Sequence, residues 1–171
     1  MSKILVTYAS RAGSTAGVAE RIARTISKQG EEVILKPMSE VDDMKDYDAF
    51  VVGSPIQAAS WLPEAMDFIR RYQELFMEKP CATFTVCMTM AMKKGEKYRA
   101  GIEEWLTPVR AFTHPVSEGI FSGVLDLKKV PSFSDRLKFR ISILLGFWKA
   151  GDHRKWDRIE QWAGRLPDLL L

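Results

Sequence analysis

The start of the chain constrains the fold most, because a strand pattern and a helix pattern flank a hydroxyl-rich turn. Lys3–Tyr8 is a short apolar run with β-branched residues, which predicts a buried strand. Residues 14–28 carry apolar side chains at helical spacing, and Gly30 follows as a stop signal. The first N–H groups of such a helix lack intrahelical acceptors and would lie at the end of the strand.

The turn between strand and helix has side chains suited to a phosphate. Ser10, Gly13, Ser14 and Thr15 combine hydroxyl donors with a glycine where the helix dipole is positive. The turn contains neither GxxxxGK[ST] nor GxGxxG, which argues against a P-loop NTPase and against a dinucleotide site. Two interpretations remain, a phosphate monoester bound without metal and an ordinary helix N-cap.

The alternation of strand and helix patterns continues and predicts one α/β domain, residues 1–171, with a parallel sheet. Such sheets bind ligands at the carboxyl ends of their strands, so the loops 9–15, 54–61 and 87–97 are the candidate site. The continuous apolar run 48–53 indicates a central strand covered on both faces. The other predicted elements are strands at 32–36, 81–88 and 115–124 and helices at 61–72, 96–106 and 157–170.

Composition and spacing exclude several classes of protein. A net charge of +3 is too mild for a uniformly basic nucleic-acid-binding protein. Cys81 and Cys87 would lie about 20 Å apart on one strand, so they cannot pair, and we expect buried thiols in a reducing cytoplasm. His114 and His153 lack metal-ligand spacing with the cysteines, so no metal site is predicted.

Residues 126–151 interrupt the alternation before the last predicted helix. Their apolar residues are interleaved with cations that include Arg136, Lys138 and Arg140. Such a segment can pack on its own sheet or a second copy, lie on a membrane surface, or form a mobile flap. Its apolar run is too short to span a bilayer, and no signal peptide precedes the first strand. We therefore expect a cytoplasmic protein, with peripheral contact at the inner face of the cell membrane as an open alternative.

The three loops together resemble the flavodoxin family. Its phosphate turn follows T/S-x-T-G-x-T, and Ser10-Arg11-Ala12-Gly13-Ser14-Thr15 matches except at Ala12. The resemblance implies a doubly wound sheet of five parallel strands in the order 2-1-3-4-5, with helices on both faces. It also implies that this turn holds the 5′-phosphate of FMN through Ser10, Arg11, Ala12, Gly13, Ser14 and Thr15.

Within that family, the chain is most similar to the flavodoxin-like, menaquinone-dependent protoporphyrinogen oxidases. Val52-Gly53-Ser54-Pro55-Ile56 resembles their V-x-G-x-S-I turn, Lys93-Lys94-Gly95-Glu96-Lys97 resembles K-x-x-E-K, and a basic, aromatic insertion precedes the last helix. This implies oxidation of protoporphyrinogen with a quinone acceptor at the membrane surface. The alternatives are an FMN electron carrier or quinone reductase with a redox-protein partner, and a flavodoxin-fold interaction module without flavin. A homodimer is a further expectation.

The resemblance places the flavin ring between the loops after the third and fourth strands. Trp61 is the stacking candidate, with a core or interface position as the alternative. No catalytic side chain is predicted, because a flavin carries the redox chemistry itself. Lys93, Lys94 and Lys97 would attract an anionic substrate or form a solvated face, and Arg136, Lys138 and Arg140 would meet substrate or membrane. The predicted ring contacts are Ser54, Pro55, Ile56, Gln57, Ala58, Trp61, Val86, Cys87, Met88, Thr89 and Met90.

Overall fold

A parallel sheet of five strands forms the centre of the structure, a computed structural model that describes residues 1–130 and 132–171. The strand order is 2-1-3-4-5, as predicted, and a short strand, Ser60–Trp61, pairs antiparallel with the third. The five strands are β1 (Lys3–Tyr8), β2 (Glu32–Pro37), β3 (Ala49–Gln57), β4 (Cys81–Val86) and β5 (Ser117–Phe121).

Helices cover both faces of this sheet, in agreement with the predicted doubly wound fold. One face packs against the first helix and the last two, and the other face packs against the helices between β3 and β5. The helices of the described residues are α1 (Ser14–Ser27), α2 (Pro63–Arg71), α3 (Gln73–Glu78), α4 (Arg99–Trp105), α5 (Thr107–Thr113), α6 (Phe133–Leu144), α7 (Trp156–Ala163) and α8 (Leu166–Leu170).

Alternate residues of the strands supply two separate hydrophobic cores. Ile4 and Val6 of β1 face α1, whereas Leu5 of the same strand faces α2 and α3. All of β4 and most of β3 are buried, because these central strands have a neighbour on each side and helices on each face. The continuous apolar run in β3 therefore has the central position that the sequence predicts.

Prolines explain most of the differences between predicted and observed boundaries. The predicted helix 61–72 begins only at Pro63, which occupies the first turn of α2. The predicted strand 115–124 begins only at Ser117, because Pro115 has no N–H to donate to the sheet ladder. It ends at Phe121, and Val124 pairs with Asp152 in a separate ribbon. The predicted helix 96–106 begins with a 3₁₀ turn, and α5, which the sequence patterns do not predict, starts beside Pro108. Pro167 likewise lies in the first turn of α8, separate from α7.

The insertion 126–151 is closed at its base by a small antiparallel ribbon. Val124–Leu125 pairs with Gly151–Asp152, and α6 forms the body of the insertion. Across the described ranges, no helix has both the length and the apolar character needed to cross a membrane. The insertion therefore leaves and rejoins the domain at one point, next to the carboxyl end of β5.

Gly53 allows β3 and β4 to pack closely at the centre of the sheet, and its substitution tests this packing. A Cβ at position 53 would lie 2.1 Å from Cζ of the buried Phe84. We expect Gly53→Ala to lower the free energy of unfolding by about 1–3 kcal/mol, because Phe84 would have to leave its preferred rotamer. Urea unfolding followed by circular dichroism measures the change.

Gly101→Ala is the matched control, because Gly101 lies in α4 with no atom within 4 Å of the added Cβ. This variant should be neutral or more stable by up to about 1 kcal/mol, as alanine favours a helix. Equal destabilisation by both substitutions would contradict the assigned packing.

Candidate functional site

The turn between β1 and α1 lies at the carboxyl edge of the sheet and holds its shape through Ser10 and Gly13. The Ser10 hydroxyl accepts a hydrogen bond from the Gly13 N–H at 3.1 Å. Gly13 has φ +86°, a left-handed conformation that a glycine adopts without steric cost, and no atom lies within 4 Å of its would-be Cβ. The free N–H groups at the start of α1 therefore face an open approach.

Arg11 of this turn binds a carboxylate of the neighbouring loop. Its guanidinium forms a two-point ion pair with Glu64 in the first turn of α2, in which Nη2 lies 3.0 Å from Oε2. Partial burial would raise the pKa of Glu64, but the Arg11 hydrogen bond and charge outweigh it and the pKa is lowered. Arg11, predicted as a phosphate contact, thus links the turn to α2.

The loop after β3 is a tight hairpin whose tip projects at the same edge. Ile56 pairs with Trp61 and Gln57 pairs with Ser60. The two residues of the tip, Ala58 and Ala59, have φ values of +51° and +58°. This conformation costs a residue with a Cβ roughly 1–2 kcal/mol, so the surrounding pairing has to stabilise the hairpin.

Two residues predicted to contact a ring in this loop are part of the protein interior instead. Trp61 is 1% exposed, and its indole N–H donates to the Thr85 hydroxyl at 2.9 Å. Its ring has no free face for stacking, so the core alternative describes its position. The buried Ser54 hydroxyl accepts from the Leu62 N–H and donates to the Pro55 carbonyl, which holds the loop. Pro55 and Ile56 are half-buried, and Gln57 and Ala58 are exposed.

The loop after β4 turns away from the sheet earlier than predicted. The strand ends at Val86, and the Cys87 N–H donates to the Phe121 carbonyl at 2.8 Å. Val86 and Cys87 are buried, whereas Met88, Thr89 and Met90 are half-buried in a 3₁₀ turn. These last three are therefore the members of the loop that can reach a ligand. Burial raises the pKa of the other thiol, Cys81, and both cysteines are free.

The three lysines that follow this loop are exposed to solvent. Lys93 and Lys94 precede a short 3₁₀ turn, and Lys97 lies within it. Neighbouring Glu96 binds Arg99 at 2.9 Å, and this hydrogen bond is the main cause of its lowered pKa. None of the three lysines lines the cavity beside the phosphate turn.

A cavity of about 340 Å³ lies between the phosphate turn and the insertion. The loop after β4 and the phosphate turn come close together at Gly123. A Cβ at Gly123 would lie 3.4 Å from Met88 Sδ and 3.6 Å from Ser14 Oγ. The cavity is lined by Ala12, Gly13, Ser14, Met88, Val124, Leu125, Asp126, Lys129, Val130, Phe139, Asp152 and Arg154.

Two cations from the far part of the chain reach the phosphate turn across this cavity. Lys129 Nζ donates to the Ala12 carbonyl at 3.3 Å, and Arg154 Nη1 donates to the Ser14 carbonyl at 3.4 Å. Arg154 also lies over the Trp156 ring, with 4.5 Å between its guanidinium carbon and the ring centroid. The sequence predictions missed both cations at this site, and the only signal was the general excess of positive charge after position 128.

Both carboxylates that line the cavity are already bound. The Arg154 Nε–H is shared between both carboxylate oxygens of Asp152, and Arg154 Nη2 donates to Oδ2 at 2.6 Å. The pKa of Asp152 is lowered mainly by this side chain. The Asp126 side chain caps a 3₁₀ turn by accepting from the Lys128 N–H at 3.0 Å. Lys129 is therefore the cation of the cavity lining that has no carboxylate partner within the described residues. No cluster of His, Cys, Asp or Glu suited to a metal occurs among residues 1–130 and 132–171.

The cations of the insertion that were predicted to meet substrate or membrane lie in different environments. Arg136 is half-buried, and its Nε donates to the Val130 carbonyl at 2.7 Å, so it holds the insertion together. Lys138 and Arg140 are exposed on α6, and Lys138 forms a 3.6 Å ion pair with Asp135.

Solved structures with similar folds include several flavodoxins. A short-chain flavodoxin associated with a bacterial microcompartment aligns over 100% of both chains with a TM-score of 0.62 and 14% identity. The flavodoxin of Streptococcus pneumoniae TIGR4 covers 98% of this chain and 99% of its own, with a TM-score of 0.57 and 15% identity. Fusobacterium nucleatum flavodoxin bound to flavin mononucleotide aligns over 100% of both chains, with a TM-score of 0.56 and 12% identity.

The family model described as a flavodoxin domain matches residues 5–143, which include the phosphate turn, both neighbouring loops and all of α6 except its last residue. At these identities the solved structures show the fold alone, whereas the family match spans most of the chain. The chain belongs to the flavodoxin family.

Proposed function

We propose that this protein binds FMN at the carboxyl edge of the sheet and acts as an electron carrier. The observation that carries the proposal is the open phosphate turn, with Gly13 in a left-handed conformation at the start of α1. Family membership supports it, as does the fold shared with a flavodoxin solved with flavin mononucleotide. A module without flavin is the alternative that the binding experiments below would reveal.

The donor set of the turn fits a phosphate monoester. Ser10 and Ser14 are half-buried hydroxyl residues, and the N–H groups that begin α1 add backbone donors. Lys129 supplies positive charge, and the carboxylates of Asp152 and Glu64 are paired with Arg154 and Arg11. Residues 55–58 and 88–90 lie at the same edge and would flank the ring.

Bound FMN would supply one- and two-electron redox chemistry, and the role of the protein is to bind, orient and shield it. The half-buried side chain of Met88 lines the cavity beside the phosphate turn and offers a soft, apolar contact that suits a flat aromatic ring. Backbone groups near the exposed tip at Gln57 and Ala58 are available to the ring edge. The net charge of +3 favours anionic redox partners, because opposite charge steers association.

A second candidate function is the oxidation of protoporphyrinogen with a quinone acceptor. The cavity beside the phosphate turn favours it, because Val124, Leu125 and Phe139 give it apolar walls while Lys129 adds positive charge. A largely apolar tetrapyrrole with carboxylates has the complementary chemistry. The test is the FMN-loaded protein with protoporphyrinogen and menaquinone: catalysed turnover supports an oxidase, and its absence alongside exchange of electrons with a redox protein supports a carrier.

Gly13→Ala tests the phosphate turn directly. The added Cβ disfavours φ +86°, so the turn should shift and misalign its donors. Loss of one hydrogen bond to a charged phosphate would weaken FMN binding about tenfold or more. Titration of the apoprotein by quenching of flavin fluorescence measures this affinity.

Gly30→Ala is the matched control for that variant. Gly30 also has a positive φ, +99°, and open space at its would-be Cβ, but it lies after α1 and away from the site. Both variants should lose about 1 kcal/mol of stability, and only Gly13→Ala should lose affinity. Absence of FMN binding by the unmodified protein would overturn the proposal, and equal affinity losses would place the phosphate elsewhere.

Lys129→Ala tests whether the insertion contributes to phosphate binding. Loss of a charge-assisted contact in a partly exposed site should weaken FMN binding about three- to tenfold. Riboflavin, which lacks the phosphate, should bind the unmodified protein and Lys129→Ala with equal affinity. Added salt should reduce the difference in FMN affinity between these two proteins. Lys128→Ala is the control, since the adjacent, exposed Lys128 does not line the cavity. Equal effects of the two substitutions would contradict a specific role for Lys129.

A further inference from the structure

Helix α6 carries an apolar outer face that the rest of the described structure leaves uncovered. At about 100° per residue, positions 133, 137, 141 and 144 fall within an arc of about 80° on the helix. Phe133 is 79% exposed and Leu144 is 86% exposed. We define the outer face as Phe133, Leu137, Ile141 and Leu144, together with the exposed Leu145 and Phe147 that follow the helix.

The opposite side of α6 belongs to the protein body. Phe139 lines the cavity and packs edge to face against Trp148, with ring centroids 6.0 Å apart. Ile143 and Arg136 on this side are half-buried. The inner side of α6 therefore packs against the protein, and the outer face is not needed for this packing.

The concentration of apolar side chains on this face is not typical of a free surface. Within the described residues, twelve large hydrophobic side chains are exposed, and six of them belong to the outer face. The other six are scattered at Met1, Met77, Tyr98, Val116, Leu169 and Leu171. Exposed apolar side chains concentrated in one segment in this way usually mark an interaction surface.

The charge around the outer face indicates what covers it. By the same helical geometry, Arg140 lies about 20° outside one edge of the apolar arc and Lys138 about 60° outside the other. From position 128 to 149 the sequence has six Lys or Arg residues and one acid, Asp135. Two copies joined through this face would bring like charges together, whereas an anionic surface would neutralise them.

We propose that the outer face of α6 docks on a membrane surface that contains anionic lipid. The face is a convex helix from which Phe133 and Leu144 protrude, not a groove that would accept a peptide. Protruding apolar side chains between flanking cations suit insertion at the boundary of headgroups and acyl chains. The surface does not involve the phosphate turn, so this inference does not depend on FMN binding.

Co-sedimentation of the full chain with lipid vesicles tests the proposal. Vesicles of phosphatidylglycerol and phosphatidylcholine should bind the protein, and pure phosphatidylcholine vesicles should bind it much more weakly. Raising the salt concentration should release it, because screening weakens attraction to the anionic surface. Failure to bind anionic vesicles at low salt would overturn the proposal.

Leu137→Ser combined with Ile141→Ser tests the apolar contribution and should weaken vesicle binding about tenfold or more. Met77→Ser is the matched control, because Met77 is 72% exposed on α3, away from the insertion. Lys138→Gln and Arg140→Gln should each weaken binding about fivefold, and less at high salt. Urea unfolding should show that all variants remain folded, and unchanged binding by the double serine variant would overturn the proposal.

Sedimentation velocity tests the alternative that a second copy of the chain binds the outer face. A dimer that the double serine variant converts to monomer, without vesicle binding by the unmodified protein, would show that self-association covers the face and would overturn the proposal. Flavin titration in parallel separates the two proposals. Vesicle binding without FMN binding would support the docking surface and overturn the electron carrier. FMN binding without vesicle binding would support the electron carrier and overturn the docking surface.

Discussion

The central strands have to be buried on both faces, and the placement of the whole candidate site follows from this constraint. Every residue of β4 is buried, and the close contact of Gly53 with the Phe84 ring joins it tightly to β3. Helices must then cover both faces, and parallel strands joined by helices send their loops to the same edge. The phosphate turn, the hairpin at Ala58 and the 3₁₀ turn at Met88 meet there for that reason.

The sequence predicts the parts of the fold that local patterns determine. The bounds of β1 agree with the structure, and those of α1 differ by one residue, because apolar periodicity and the stop at Gly30 act within a few residues. The phosphate turn is similarly local, since Ser10 and Gly13 that shape it are three residues apart. The position of Trp61 was harder to predict because an indole next to a ligand loop suits both stacking and the core. The partner that decides between them, Thr85, lies on another strand.

The cations of the site depend on contacts between distant parts of the chain, which no local pattern contains. Lys129 and Ala12 are 117 residues apart, and Arg154 and Ser14 are 140 residues apart. An excess of Lys and Arg after position 128 is visible in the sequence, but the sequence does not distinguish which of these cations reach the phosphate turn. The pairing of Val124–Leu125 with Gly151–Asp152 selects among them, since it fixes where Lys129 and Arg154 stand relative to the turn.

The insertion links its outer surface to the cavity through a single helix. On the inner side, Phe139 and the Arg136 contact with the Val130 carbonyl hold α6 against the cavity wall. A helix of 12 residues has little stability of its own, so it depends on whatever packs against its two sides. Any partner that covers Leu137 and Ile141 from outside therefore also stabilises the wall to which Phe139 belongs.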